Sequence, residues 1–545
     1  MAPSSTFPFD IYNLIFSVLP QKYVLECRLV DKFVGAIATA WEFRHIRLEA
    51  VDDPSNFIHI AESDHLRLLV REVNLDAWTD SHFRTTDHFG NSLVPPHAPF
   101  LRALPFLRLF KNLKTLNIRL DQDDSDYFTD SDGSFRCYVL STVVSCLGGT
   151  WSAEWQKQLE HDQRIDSHSN EAQSEKGDEV GLTLRSAPIE LKTITISHLA
   201  SFEDARLTSL KELKLLIATE SSDELEGFGK TLHFLESLPR TWFAPSIAQN
   251  LRVLSLYCTK FWGWDPKMDV RMVNPSTNSA SGFPNLKLLA LGNYVFSHQW
   301  QVDWIASLGS HNGSGGLQEL YLDDCSIMWY ARIKGSLDTT DTICLSADGQ
   351  EIKFPNSGYL QKEAMLSGDL GDHSDFTKVH FDLRWHHVLL QWKDKMLSLK
   401  TFKMGHGASW ENDTARLVVR SHPEVWTVIP KPNIEHLDAY LRWYRGRRLE
   451  EQPFQETVFL NYDCAPPPKG RNPKGSDVFR QGVGLHQRRE YMMQYIYYNG
   501  GRWNQRDERP GVVDDNIMEY KNARKLDIEA SSGLMNAVEV RRRET

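Results

Sequence analysis

Leu210-Lys-Glu-Leu213-Lys-Leu215 carries the pattern on which the fold turns: one apolar residue, two others, then two apolar residues separated by one. It returns downstream as Leu251-Arg-Val-Leu254-Ser-Leu256, Leu286-Lys-Leu-Leu289-Ala-Leu291 and Leu317-Gln-Glu-Leu320-Tyr-Leu322. Upstream it reads Val70-Arg-Glu-Val73-Asn-Leu75, Leu113-Lys-Thr-Leu116-Asn-Ile118 and Leu191-Lys-Thr-Ile194-Thr-Ile196. Two weaker copies are Leu399-Lys-Thr-Phe402-Lys-Met404 and Ile434-Glu-His-Leu437-Asp-Ala439. The alternation that ends each copy puts its last apolar residues on one face of a strand. Between copies, Gln299, Val302, Ile305 and Leu308 have helical spacing, as do Val388, Leu389, Trp392 and Met396. Strand alternates with helix, so the expected class is α/β.

A strand motif repeated in this way reads as a leucine-rich-repeat-like solenoid, whose usual period is about 20–29 residues. Here the starts at 191, 210, 251, 286 and 317 are 19, 41, 35 and 31 residues apart. The expectation is therefore an irregular solenoid over 49–465 with long insertions, or another αβ repeat. Insertions are expected near 121–186 and 335–376: 121–134 is acidic and turn-rich, 156–186 is polar, and 335–376 is rich in Gly, Asp and Ser. Residues 466–545 read as a loop (PPPKGRNPKGSD over 466–477) and a helical tail, with a helix over 487–498 and a solvated end at Arg541-Arg542-Arg543.

The N-terminus is different. After Phe7-Pro8-Phe9-Asp10, residues Ile11, Leu14, Ile15, Val18 and Leu19 recur at helical spacing, with Asp10 in the first turn and Pro20 as the stop. Tyr23, Val24, Cys27 and Val30 predict a second helix, and Phe33, Val34, Ile37, Ala38 and Trp41 a third. Arg44 to Leu48 alternates as a strand would. With Tyr12 and Phe16, the first helix is apolar over roughly 200° of its circumference, about twice what one buried side needs. A unit of about forty residues is marginal alone. One apolar side is expected to pack on its own helices and the other on the rest of the chain or on a partner.

Residues 5–48 resemble an F-box. The family pattern has Leu-Pro-x-Glu/Asp-Ile, then Leu-Pro, then Leu-x-x-Cys-Arg-x-Val-x-Lys-x-Phe. This chain has Phe7-Pro8-Phe9-Asp10-Ile11, Leu19-Pro20, and Val24-Leu-Glu-Cys27-Arg28-Leu-Val30-Asp-Lys32-Phe33, departing at Phe7 where Leu is usual. The resemblance implies docking onto the Skp-type adaptor of a cullin–RING ubiquitin ligase through Pro8, Ile11, Ile15, Leu19, Pro20, Val24, Cys27 and Val30. The runs Phe283 to Trp304 and Leu317 to Ile327 are similar to large leucine-rich-repeat-like F-box proteins of filamentous fungi. That resemblance implies no chemistry and does not identify a substrate.

Composition narrows the classes further. The chain has 545 residues, 41% hydrophobic and 24% charged, enough for three or four units. A net charge of −11 argues against general nucleic-acid or anionic-membrane binding. No apolar run reaches the ~20 residues of a membrane span; the nearest, Cys137 to Leu147, is interrupted by Ser141, Thr142 and Ser145. The start lacks a signal-peptide pattern, and the seven cysteines form no CxxC pair, which points to cytosol or nucleus. An EF-hand alignment on Gly133 puts Phe128 and Val139 at ligand positions, so calcium is not expected. Adjacent His386 and His387 point about 100° apart on a helix and have no HExxH companion; GxxxxGK[ST] and GxSxG are also missing. No catalytic residue, cofactor or metal is expected.

What remains is a surface. In a solenoid, strand residues between the core leucines face a partner, which nominates Tyr257, Tyr321, Asp323, His436 and Tyr440 for an unknown protein target. The expected role is a substrate-recognition subunit of a Skp–cullin–F-box ligase. The alternatives are an adaptor-bound scaffold that delivers no substrate, or an enzyme on an α/β repeat.

Overall fold

Eight of the nine leucine motifs fold as strands where their alternation places them; the copy at 434–439 lies outside the described residues. The structure is a computed structural model, described over residues 8–19, 21–50, 53–77, 98–120, 134–162, 187–199, 207–217, 234–273, 282–310, 316–323, 325–334, 337–345, 349–359, 376–405, 493–499, 511–512 and 518–544. Its strands are β1 (His45–Glu49), β2 (Glu72–Asp76), β3 (Thr115–Arg119), β4 (Thr193–Leu199), β5 (Glu212–Ile217), β6 (Val253–Trp262), β7 (Leu288–Phe296) and β8 (Glu319–Asp323). Then come β9 (Ser326–Lys334), β10 (Asp341–Leu345), β11 (Glu351–Pro355), β12 (Phe376–His380), β13 (Thr401–Gly405), β14 (Gln494–Asn499) and β15 (Gly511–Val512).

β1 to β8 and then β13 lie side by side in chain order, every neighbour parallel. The register puts the first strand residue of each motif in a single row, from His45 and Glu72 to Glu319 and Thr401. The two alternating apolar residues of each strand (Val73 and Leu75, Leu213 and Leu215, Leu320 and Leu322) point into one continuous core. So does the first residue of each motif, two before the strand, such as Leu113, Leu210 and Leu251. Burying one such side chain stabilises by about 2 kcal/mol. Asparagines stitch the turns together: the side-chain amides of Asn112, Asn250 and Asn285 donate to the backbone carbonyls of Leu68, Thr208 and Gln249 in the preceding turn.

A parallel pair cannot be closed by a tight hairpin, so each strand must be followed by a crossover. The uneven motif spacing measures those crossovers. Among the described residues, the α-helices longer than one turn are α1 (Phe9–Val18), α2 (Gln21–Cys27), α3 (Lys32–Glu42), α4 (Ser55–Glu62), α5 (Ala98–Ala103), α6 (Ser134–Gly148), α7 (Ala153–Asp162), α8 (Gln299–Gly309), α9 (Trp385–Lys395) and α10 (Met518–Arg543). The segment 121–186 is thus not insertion throughout: Val139, Leu140, Val143 and Leu147 of α6 belong to the main core. α8 and α9 stand where helical spacing predicts them, with Trp304 buried and Trp300 packed against the same core.

Beyond β8 the order changes. β7 pairs with β8 along its first half, while Val295 and Phe296 pair with β9. β9 is flanked by antiparallel β12 and parallel β14. The segment 335–376 contains the β10–β11 hairpin. The helix expected over 487–498 is corrected where it is described: 487–492 lie outside the described residues, and Gln494–Asn499 is strand β14. Its Tyr-Ile-Tyr-Tyr run suits a pleated, half-buried surface, and β9 offers the partner that local spacing cannot reveal.

The C-terminal helix α10 closes this end by capping α9 at both termini. Arg384, at the N-cap of α9, makes no side-chain cap. Instead Asp527 of α10 accepts from the His386 N–H at 2.7 Å and from His386 Nδ1 at 2.8 Å, and the Tyr495 hydroxyl accepts from the Trp385 N–H at 2.9 Å. At the other end Arg541 donates to the carbonyls of Lys393 and Met396 at 2.5 and 3.0 Å. A carboxylate thus meets the positive end of the α9 dipole and a guanidinium the negative end. The expectation of a solvated arginine end holds for Arg542 and Arg543, which are exposed and pair with Glu539, and is corrected for Arg541.

Candidate functional site

The three N-terminal helices form a unit with its own small core. Asp31 caps α3 by accepting from the Val34 N–H at 2.8 Å. Trp41 Nε1 donates to Asn13 Oδ1 at 2.9 Å, tying α3 to α1. A Cβ on Gly35 would lie 2.8 Å from the Arg28 carbonyl oxygen, so this glycine lets the α2–α3 turn pack tightly. Leu19 ends α1 in extended geometry (φ −74°, ψ 137°), as the residue before a proline should. Inside lie Phe16, Val24, Val34, Ile37 and Ala38, backed by Tyr12, Leu19, Cys27 and Trp41.

The other side is left to water. Eighteen large apolar side chains are exposed among the described residues, and nine of them fall between positions 9 and 33. Leu29 is 89% exposed, Val30 67% and Leu14 62%; Phe9, Ile11, Ile15, Tyr23, Leu25 and Phe33 complete the set. Scattered exposed leucines are normal, but a concentration of this kind marks an interaction surface.

The nominated docking residues divide accordingly. Pro8, Ile11, Ile15 and Val30 are exposed. Leu19 and Cys27 are half-buried against the inner core, Val24 is inside it, and Pro20 lies outside the described residues. Phe9, Leu14, Tyr23, Leu25, Leu29 and Phe33 belong to the exposed set but are not among the nominated docking residues. Leu25 lies on α2, but α2 ends at Cys27 and Leu29 sits in the turn that follows, so helical spacing does not single Leu29 out.

The strand face nominated for a target needs correction. Tyr257 and Tyr321 are fully buried and Asp323 is 2% exposed. The Tyr321 hydroxyl donates to Glu319 Oε2 at 2.6 Å. His436 and Tyr440 lie outside the described residues. Parallel sheets tend to be covered on both faces, so pointing away from the leucine core does not mean pointing to water. The central row runs from half-exposed Arg47, Asn74 and Asn117 to buried Thr195, Lys214, Ser255, Ala290 and Tyr321.

At the first strands this face is partly open and forms a polar network. Arg47 pairs with Glu49 at 2.6 Å and with Asp76. Asn117 donates to Glu72 and to Asn74, both at 2.8 Å. Burial pushes the Glu72 carboxyl up to about 7, against the pull of the Asn117 hydrogen bond and of Lys214 and Arg44. Burial and the Arg44 charge push His45 down to about 4, so its 3.5 Å approach to Glu72 near neutral pH is by a neutral ring.

Among the described residues no cluster of His, Cys, Asp or Glu could hold a metal, and no helix is long and apolar enough to cross a membrane. His386 is engaged with Asp527. The chain matches no protein-family model and no curated protein.

Proposed function

We propose that this protein is the substrate-recognition subunit of a Skp–cullin–F-box ubiquitin ligase, its N-terminal helices forming an F-box that docks on the adaptor. The observation that carries the reading is the double-sided helical unit: five side chains inside and nine large apolar side chains outside. The order of its helices agrees with the resemblance over 5–48. The nine parallel strands in chain order are what a leucine-rich-repeat-like solenoid requires, each repeat resting on its neighbours. Such a receptor catalyses nothing itself. It raises the local concentration of a bound target beside the conjugating enzyme.

The test is purification of the tagged full chain from its own cells beside an Ile15→Glu, Leu29→Glu, Val30→Glu variant. All three side chains are exposed, so the variant keeps its inner core. An adaptor and a cullin that accompany the wild type and are lost with the variant support the reading. If neither accompanies a folded wild-type chain, the reading fails. If the adaptor is bound but no associated protein is ubiquitinated or accumulates when the chain is removed, the scaffold role replaces the receptor role.

A further inference from the structure

One row of the parallel ladder is cationic almost throughout. It lies one residue before the strands, and backbone hydrogen bonds set it in register. The Arg44 carbonyl accepts from the Arg71 N–H at 2.9 Å, Arg71 from Lys114 at 2.8 Å, and Lys114 from Lys192 at 2.9 Å. The row continues through Lys211 and Arg252 to Lys287 with bonds of 2.7, 2.7 and 2.8 Å. It then passes Gln318 and ends at Lys400, each step 2.8 Å. Eight of its nine positions are Lys or Arg, on a chain whose net charge is −11.

None of the eight is buried. Where their head groups make contacts, several meet neutral acceptors of the next turn. Arg71 donates to the Asn112 carbonyl at 3.2 Å, Lys114 to that of Glu190 at 3.4 Å, and Lys211 to Asn250 Oδ1 at 3.2 Å. Among the described residues, no carboxylate lies within ion-pair distance of Arg44, Arg71, Lys114, Lys192, Lys211, Arg252 or Lys400. The charges act on one another: Lys287 is held below the ordinary lysine range by burial and by Arg252 and Lys400. A line of like charges stepped at about 4.8 Å raises a field that a partner of opposite sign would relieve.

We infer that this row is a docking ridge for a strongly acidic, extended segment of a partner protein. Nucleic acid fits less well. The adjacent row carries Glu72, Glu212 and Glu319, and His45 at its start is its one ring on which a base could stack. A phosphate chain cannot avoid those carboxylates, whereas a peptide can place an uncharged residue opposite each. The inference stands independently of adaptor docking.

Eight steps span roughly 38 Å, the length of about 11 extended residues. The probe is therefore a fluorescent peptide of about 12 residues in which Glu alternates with Ser, titrated with the full chain at rising salt. Binding is expected to weaken with salt, as exposed charges are screened. Lys192→Glu with Lys211→Glu and Arg252→Glu is expected to weaken it about tenfold or more. Lys157→Glu with Lys521→Glu and Lys525→Glu changes the net charge equally, off the ridge, and is expected to leave binding within about twofold. The same three ridge positions changed to Gln should give an intermediate loss, a check that does not depend on the reversed charges being tolerated. No binding by the wild type, equal loss in both charge-reversed variants, or displacement of the peptide by a tighter-binding duplex DNA would each overturn the inference.

Discussion

Asp527 offers the most demanding test of how the C-terminal end is held. Its side chain is fully buried and accepts three hydrogen bonds: the His386 N–H, His386 Nδ1 and the Tyr495 hydroxyl, the last at 2.7 Å. Burial and the Asp527 charge keep the Tyr495 phenol well above its ordinary range, so it remains a donor. Replacing Asp527 by Ala strands those donors and uncaps α9. Hydrogen bonds to charged groups are worth about 1.5–3 kcal/mol each and do not add fully, while removing one partner of a buried ionic group costs about 3–5 kcal/mol. Asn keeps one acceptor for His386 but turns an amide toward Tyr495, for an expected cost of about 1–2 kcal/mol. Global unfolding of a chain this long is not two-state, so the assay is native-state amide exchange within Met518–Arg543 and at the start of α9. At about 1.4 kcal/mol per decade, Ala should speed exchange there by about 140- to 3,700-fold and Asn by about 5- to 30-fold. If Ala leaves α10 protection within about threefold of wild type, the trans-capping argument is wrong and α10 is held by its apolar face alone.

Two further outcomes follow from the sheet. A Cβ on Gly292 of β7 would sit 1.7 Å from Tyr257 Cδ2, so Gly292→Ala should destabilise by about 1–3 kcal/mol, read as faster native-state amide exchange in β6 and β7. Tyr257→Leu should restore part of that loss in the double variant, and independent additive losses would contradict the contact. Glu72, its folded pKa raised to about 7 against an ordinary 4.5, binds protons more tightly folded than unfolded. Its ionisation therefore costs stability progressively as pH rises from about 4.5 to 7. Glu72→Gln should be neutral near pH 4 and stabilising by roughly 1–3 kcal/mol near pH 8, checked by native-state amide exchange in β2 and β3, corrected for intrinsic rates, across that range.

The strands were legible because their signal is local. Leu213 and Leu215 alternate whatever lies around them, and so do Leu320 and Leu322. Alternation also says which side a residue faces, which is why Tyr257 and Tyr321 were placed away from the leucine core. It cannot say whether that side is covered, and there the reading failed. The 487–498 segment failed for a related reason: its apolar residues suit either period, and only the presence of β9 decides for a strand. Arg541 looked like the end of a solvated tail because the carbonyls it caps lie about 145 positions earlier in the chain. In the N-terminal unit the excess apolar arc of α1 was visible, and helical spacing ran on through Val30 although α2 ends at Cys27, but Leu29 in that turn lies off the spacing. The most exposed residue of the surface therefore went unnoticed.

The two surfaces assigned to partners are mechanically joined. Glu42 ends α3, and Arg44, two residues on, is already the first rung of the cationic row. The Arg44 guanidinium lies 4.7 Å over the ring of Trp41, the residue that ties α3 to Asn13 of α1. β1 then pairs along its whole length with β2, so no free linker separates the helices from the sheet. A flexible connection would let a target on the ridge sample a wide volume relative to whatever holds the apolar face. A stacked, hydrogen-bonded junction gives up that reach and fixes one distance and one direction instead. For a receptor that acts only by bringing two proteins together, a fixed geometry is useful: effective concentration is greatest when the span matches the gap to be bridged and falls when the connection is longer than it needs to be.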